Sequence, residues 1–344
     1  MEGNFQISKS SFMIAALVSL VGLGGLGLIS SARYVPATPV NSLDVPKLPF
    51  TVGEDGVKEF RLVAQPVAKS LYPGFNNGVP MTTWGFNGSM PGLTIEAVEG
   101  DRVRIIVSNQ LPEATTIHWH GIDLPNNMDG AGSHTQTPIP PGGQFVYEFT
   151  LKQNGTHMYH SGYNQTHQVG MGLAGMFVIH PRTPHYPVVT KDFTMMLQMF
   201  TLPAGSNQPD TTSMEEQYFT INGKSGPVTK HLKVKVGDHV RIRIANLSVM
   251  NHPIHMHGHR FLVTGTDGGR IQESAQWKAA TVLVGAGETR DIEFTAVEPG
   301  VWMLHCHLLH HIMNDMNRPT IPGQDGHSMD ANGGMHTIVE VTKQ

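Results

Sequence analysis

His305-Cys306-His307, followed by His311 and Met316, sets the single cysteine of the chain between two imidazoles, with another imidazole and a thioether downstream. A thiolate, an imidazole five residues on and a thioether ten residues on supply most of a trigonal His2Cys copper site with a weak axial Met. The second imidazole of such a site has to come from elsewhere in the chain. In an extended segment, His305 and His307 point to the face opposite Cys306. They can therefore hold other metal ions while staying covalently linked to the first.

More imidazoles stand in His118-Trp119-His120-Gly121, at His160, and in His252-Pro253-Ile254-His255-Met256-His257-Gly258. On these clusters the chain resembles the multicopper oxidases, whose signatures are HxHG, HxH, HPxHxHG and HCHxxxHxxxxM. The likeness covers nearly all of the chain after about residue 45 and includes Trp84 to Gly92, a segment typical of the family's first domain. The resemblance implies a type 1 copper held by His252, Cys306, His311 and Met316. It implies a type 2 copper on His118 and His255, and a type 3 pair on His120, His160, His257, His305 and His307. Copper would number about four per chain, the family complement, with O2 reduced to water by four electrons. Cys306 would then be catalytic as the electron relay. Asp129 matches an acid that the family places beside the trinuclear centre, where a carboxylate can relay protons. Turn capping within Met128-Asp129-Gly130 is its plainer role.

Two departures from the family pattern matter. Gly162 stands where the second His of HxH belongs, so seven trinuclear imidazoles remain of the family's eight, and His257 and His305 share a copper without a third ring. Three readings stay open: His167 folds back from the turn-prone stretch after Gly162, a solvent or hydroxide ligand fills the gap, or the centre is depleted. Leu309 and Ile312 also replace acids that some relatives carry after HCH. That leaves Asp129, His310 or water to deliver protons.

The elements that position these residues are written twice. Gly100, Asp101, Asn109, His118 and His120 recur 137 residues later as Gly237, Asp238, Asn246, His255 and His257. Glu148-Phe149-Thr150 and Gly155 to His160 recur 145 residues later as Glu293-Phe294-Thr295 and Gly300 to His305. Self-similarity at fixed spacing signals a repeated structural unit. By these offsets Thr115, Ser161, Gly162, Thr166 and Met171 correspond to His252, Cys306, His307, His311 and Met316, so the first copy has the frame of a type 1 site without its sulfur and imidazoles. Val103 to Val107 and Val240 to Ile244 read as strands, with turn signals such as Pro141-Gly142-Gly143 and no amphipathic helix of twelve residues. The expected class is all-β, with tandem Greek-key sandwiches or barrels. The resemblance sharpens this to cupredoxin-like domains over 47–185 and 186–344, joined near His180 to Pro187.

A chain of 344 residues fits two such domains. A net charge of −4 with no basic run argues against nucleic acid as a partner. The lone cysteine excludes an intramolecular disulfide. Lys9, an apolar run of 18 residues from Phe12 to Ile29, and Ser30-Ser31-Ala32 mark residues 1–32 as a signal peptide or, at the threshold of spanning length, a membrane anchor. Residues 33–46 would then be a tether, and the protein would be periplasmic or extracellular.

The reductant is less legible than the chemistry. Among 19 methionines, Met313, Met316, Met329 and Met335 lie with His327 and His336 in a Gly- and Asp-rich tail. Thioethers suit Cu(I), which suggests cuprous ion as a reductant. Met195, Met196 and Met199 read as core. The resemblance is to small laccases, which oxidise phenols, aromatic amines or low-valent metal ions with O2. Other readings are a copper-sequestering or copper-tolerance protein with an incomplete trinuclear centre, and a copper nitrite reductase. A two-domain chain cannot close its own trinuclear site, so a homotrimer is expected, with His118, His120 and His160 of one subunit facing His255, His257, His305 and His307 of the next.

Overall fold

Arg102–Asn109 alternates buried and wetter residues, as a strand with one solvated face does. Its repeat partner His239–Asn246 is buried at every position after the first. The difference is tertiary: the first copy covers the second strand's outer face. The computed structural model describes residues 38–213, 215, 217–312 and 333–343, all within one compact unit. The expected signal or anchor segment lies outside the described residues, as do Met313, Met316, His327 and Met329.

The described chain is almost wholly β, in four sheets. In the first copy, Phe50–Val52, Lys58–Lys69, Arg102–Asn109 and Gln144–Thr150 lie in that order, with Met81–Phe86 also paired to Lys58–Lys69. Facing them are Gly92–Val98, Ala174–His180, Gly155–Ser161 and Ile117–His120. Trp119, Tyr147, Tyr159 and Phe177 pack edge-on and tilted between these two sheets. In the second copy, Val40–Asn41, Lys191–Phe200, His239–Asn246, Thr289–Thr295, Phe261–Thr266 and Gly269–Arg270 form one sheet. The other is Leu232–Lys235, His336–Thr342, Gly300–Cys306, His252–Met256 and Thr281–Val284. Each copy has a parallel pair in both of its sheets among antiparallel neighbours: Lys58–Lys69 with Arg102–Asn109 and Gly92–Val98 with Ala174–His180 in the first, Lys191–Phe200 with His239–Asn246 and Leu232–Lys235 with His336–Thr342 in the second. The fold is the expected cupredoxin-like Greek key. Among the described residues no helix is long and apolar enough to cross a membrane, and the longest α-helix, Gln165–Gly170, has six residues.

Between the two copies, Met158, Ala174 and Met176 pack on Met196 and Ala245. Met195 and Met196 are fully buried and Met199 nearly so, as expected of core residues. Beside them lies a layer of buried charge. Arg243, 2% exposed, donates from Nε and Nη2 to Asp192 at 2.8 and 2.9 Å and from Nη1 to the Thr156 hydroxyl at 2.8 Å. Thr156 in turn donates to Asp291 at 2.6 Å. Charge this deep needs such pairing, and removing one partner alone costs about 3–5 kcal/mol.

Part of the segment read as a free tether is anchored. Val40–Asn41 pairs in parallel with Lys191–Phe200, where an edge strand would otherwise leave donors and acceptors open. The Val40 amide donates to Glu96 Oε1 at 2.8 Å, so this short strand joins both copies.

Candidate metal centre

Three groups of donor atoms converge among the described residues: His252 with Cys306 and His311, His118 with His120 and His160, and His255 with His257 and His305. Cys306 ends the strand Gly300–Cys306, and His252 begins its antiparallel neighbour His252–Met256. His311 closes the one-turn helix Leu309–His311. Cys306 Sγ lies 3.6 Å from His252 Nδ1 and 3.5 Å from His311 Nδ1, and these nitrogens are 3.1 Å apart.

All three side chains are buried. Burial pushes His252 down to about 4 and, with His252 and His310 nearby, His311 down to about 3, while it pushes the Cys306 thiol up to about 11. His252 Nε2 and the Ser248 hydroxyl are 2.8 Å apart, and Ser248 donates onward to Asn246 Oδ1 at 2.7 Å. With Nε2–H given to Ser248, the Nδ1 lone pair is left pointing at Cys306. Two neutral nitrogens and a sulfur that face one another at these distances are arranged for a cation between them. Their softness fits copper. Met316 lies outside the described residues.

The other two groups are one arrangement used twice. His118 stands opposite His160 across Ile117–His120 and Gly155–Ser161, and His255 stands opposite His305 across His252–Met256 and Gly300–Cys306. Four of these rings are held from behind by a carbonyl on Nδ1: His118 by Asp129 at 2.9 Å, His160 by Ser161 at 2.9 Å, His255 by Ala280 at 2.8 Å and His305 by Cys306 at 2.8 Å. An Nδ1–H engaged in this way leaves the Nε2 lone pair free, which is how ligating imidazoles are oriented. Inside the groups, His120 Nδ1 and His160 Nε2 are 3.1 Å apart, as are His257 Nε2 and His305 Nε2. Burial pushes His160 down to about 3 and holds His120, His257 and His305 below the usual imidazole range. These neutral imidazole sets also fit copper. His307 is exposed at the rim of its group, its ring 5.4 Å from His255 and 5.5 Å from His305. Within one chain the two triads remain separate groups.

Asp129 lies beside His118 at the end of a turn. Its Oδ1 is 3.5 Å from His118 Nδ1, and its amide caps the one-turn helix Asn126–Met128 by donating to Asn126. His310 is exposed, with its ring 4.2 Å from that of His311. His167 is placed away from the triads: its Nδ1 is 3.1 Å from the Thr211 hydroxyl and its ring stands edge-on to Trp84. The helix Gln165–Gly170 carries it there.

Sequence reasoning missed what fills the sulfur-free frame of the first copy. Gln168, fully buried, accepts hydrogen bonds at Oε1 from Thr115 at 2.7 Å and Ser161 at 2.5 Å, and donates to Glu113 at 2.6 Å. Thr115 and Ser161 are the counterparts of His252 and Cys306, so an amide closes that position. Ser248 and the Ala280 carbonyl were missed as well. Ser248 lies only four residues before His252, in the loop that follows His239–Asn246, and its residue type alone does not mark it; the Ala280 carbonyl meets His255 only through strand register.

Two multicopper oxidase family models match, one over residues 71–184 and the other over 199–325. The solved structure of a blue copper oxidase from Nitrosomonas europaea superposes with a TM-score of 0.71 at 31% identity, covering 82% of this chain and 85% of that one. A putative laccase-19 of Oryza sativa subsp. indica is 31% identical over 244 residues, 65% of this chain and 40% of the relative. Copper resistance protein A of Pseudomonas syringae pv. tomato is 36% identical over 144 residues, 42% of this chain and 23% of the relative. The chain thus spans well under half the length of these curated relatives.

Proposed function

The chain belongs to the multicopper oxidase family, and from that premise we propose that it is an exported oxidase. It couples one-electron oxidation of phenolic or aromatic substrates, or of low-valent metal ions such as Cu(I), to the four-electron reduction of O2 to water. The observation that carries this reading is the buried convergence of Cys306 with His252 and His311, joined by one peptide unit to His305 in a second donor group. Copper, when bound, supplies the one-electron redox changes and the site for O2.

The protein's own contribution is placement. His252, Cys306 and His311, with Met316, hold the blue copper; His118 and His255 hold the type 2 ion, and His120, His160, His257, His305 and His307 the type 3 pair. The Cys306 backbone and its carbonyl, which accepts from His305 Nδ1, give a short covalent and hydrogen-bonded route between the two centres. The carbonyls behind His118, His160, His255 and His305 fix each ring before any metal arrives. Asp129, half-exposed and facing His118, is placed to hand a proton inward.

Two separate triads in one chain support a ring in which the His118 triad of one subunit faces the His255 triad of the next, since head-to-tail interfaces that close give cyclic symmetry. Three copies are the number we propose. Export is supported by the charged start and apolar run of residues 1–32. A copper-sequestering role is favoured by one observation only, the missing imidazole at Gly162. A nitrite reductase would need its type 1 site in the first copy, where Gln168 occupies the frame. The test counts bound copper and follows O2 uptake with a phenol and with Cu(I) side by side. About four copper ions per chain and uptake with either reductant uphold the oxidase; copper without uptake favours sequestration.

A further inference from the structure

A histidine ring does not set its own plane, because rotation about its terminal bond is broad and roughly two-fold. Five imidazoles of the donor groups are turned from behind by a hydrogen bond: His252 by Ser248, and His118, His160, His255 and His305 by backbone carbonyls. His311 is different. Its Nδ1 faces Cys306 and His252, and its Nε2 is buried with no hydrogen-bond partner among the described residues. Against it lies a flat face instead: the Phe219 ring stacks at 4.2 Å with the two planes 21° apart. His310 meets the same imidazole edge-on, but from an exposed position, whereas Phe219 is 2% exposed.

Phe219 is itself held from several sides. Its strand, Tyr218–Ile221, is buried at all four positions and pairs antiparallel with Lys191–Phe200, with Phe219 opposite Met199. The Phe219 carbonyl accepts from the Ser225 hydroxyl at 2.8 Å. Neighbouring side chains on a strand leave by opposite faces, so Tyr218 enters a cluster with Leu71, Phe75, Met81 and Met90 of the first copy while Phe219 enters the core of the second. The strand is wedged between the copies, and the first copy, which has no sulfur site of its own, thereby backs the one in the second.

We propose that Phe219 is a positioning residue for His311: its ring fixes the imidazole plane by stacking, where His252 uses a hydrogen bond, so that Nδ1 faces Cys306 before copper arrives. The inference rests on the reading of His252, Cys306 and His311 as the blue-copper ligands and adds a residue outside that set. Stacked aromatic pairs favour one ring arrangement over others, and a donor ordered before binding spares the metal the cost of ordering it.

The experiment equilibrates reduced holoenzyme with bathocuproine disulfonate, a Cu(I) chelator, and reads the type 1 copper retained from the blue band after reoxidation. The electron paramagnetic resonance spectrum of the oxidised protein is recorded beside it. Phe219→Leu keeps apolar volume and removes the flat face; it is expected to hold type 1 copper about 2- to 10-fold more weakly, the range that one aromatic pair spans, and to change the type 1 copper splitting. Phe219→Tyr keeps the face and should match wild type in both readouts. Phe219→Met, also an apolar side chain of comparable size, carries the same expectation should the leucine variant not fold. A leucine or methionine variant whose copper-free form melts lower, yet whose copper affinity and splitting are those of wild type, overturns the proposal, because Phe219 would then be packing alone. A tyrosine variant that shifts as far as leucine overturns it too. Neither readout needs O2 uptake, so a protein that binds copper without reducing O2 still decides the role of Phe219. A wild-type holoenzyme with no blue band overturns the blue-copper reading, and the proposal with it.

Discussion

A β-carbon added at Gly162 would lie 2.0 Å from the carbonyl oxygen of Gly130. That carbonyl is held in place by the Thr116 hydroxyl at 2.5 Å, and the Gly162 amide donates to Thr116 O at 3.0 Å. The two segments touch backbone to backbone, so the absent imidazole is a position where this backbone admits no side chain. Gly162→His is therefore expected to lose stability and gain no copper. Overpacking of this kind costs about 1–3 kcal/mol, a drop of roughly 1–2 °C per kcal/mol in a chain this size. Gly162→Ala carries the same β-carbon and should destabilise alike in a thermal melt. A histidine variant with unchanged melting and added copper would contradict the packing argument.

His167 is the candidate that the sequence offers for the missing nitrogen, yet its ring is engaged by Thr211 and Trp84. His167→Ala is expected to leave copper content within error of wild type. Its effect should appear in stability instead, by about 1 kcal/mol for a lost hydrogen bond and ring contact. Loss of one copper per chain by elemental analysis would show that the loop rearranges to ligate.

Cys306, the one cysteine of the chain, supplies the thiol of the buried His252 group. Cys306→Ser should abolish the copper–thiolate absorption near about 600 nm, because a hydroxyl does not replace a thiolate for soft copper. Most of the copper on the other imidazoles should remain. Met171→Leu should leave the band untouched: Met171 is buried in the first copy's core, where Gln168 closes the frame.

Much of this site was legible because its signals are local. The spacing of Cys306 and His311, the pairs His118/His120 and His255/His257, and the offsets that align His160 with His305 each lie in one stretch of chain or in a simple comparison of two. What was illegible depends on partners distant in sequence. His239–Asn246 and Arg102–Asn109 are near-copies, and only docking of the first sandwich makes one buried throughout. Gln168 looks like an ordinary helical glutamine until Thr115 and Ser161 are brought to it. The Pro-containing segment before residue 47 reads as a tether, because nothing in it announces that Val40 will pair with the far strand Lys191–Phe200.

Glu96 gives stability a pH signature. Burial pushes its carboxyl up, but hydrogen bonds from His180, Lys47 and the Val40 amide outweigh burial and bring it down to about 2. A carboxyl depressed on folding stabilises the fold above its unfolded value near 4.5, and that stabilisation drains away as pH falls toward 2. Glu96→Gln should thus cost about 1–3 kcal/mol at pH 7, and the gap to wild type should close between roughly pH 4.5 and 2. Denaturant melts across that range check this; a pH-independent gap would assign the loss to packing.

The assembly can be tested without relying on size alone. A variant with His118, His120 and His160 all changed to Ala keeps only the second triad, and one with His255, His257 and His305 changed keeps only the first. Each alone should fail to reduce O2. In a ring where every site joins the first triad of one subunit to the second triad of its neighbour, random mixing of equal amounts makes about one site in four intact. Refolding or exchanging the two variants together should then restore about a quarter of wild-type O2 uptake, with a light-scattering mass of three chains. If each chain completed its own site, every subunit in the mixture would still carry a dead half, and uptake would stay at the level of the separate variants. Recovery near a quarter therefore distinguishes sites shared between subunits from sites within one, and no recovery in a confirmed mixed trimer would rule the shared site out.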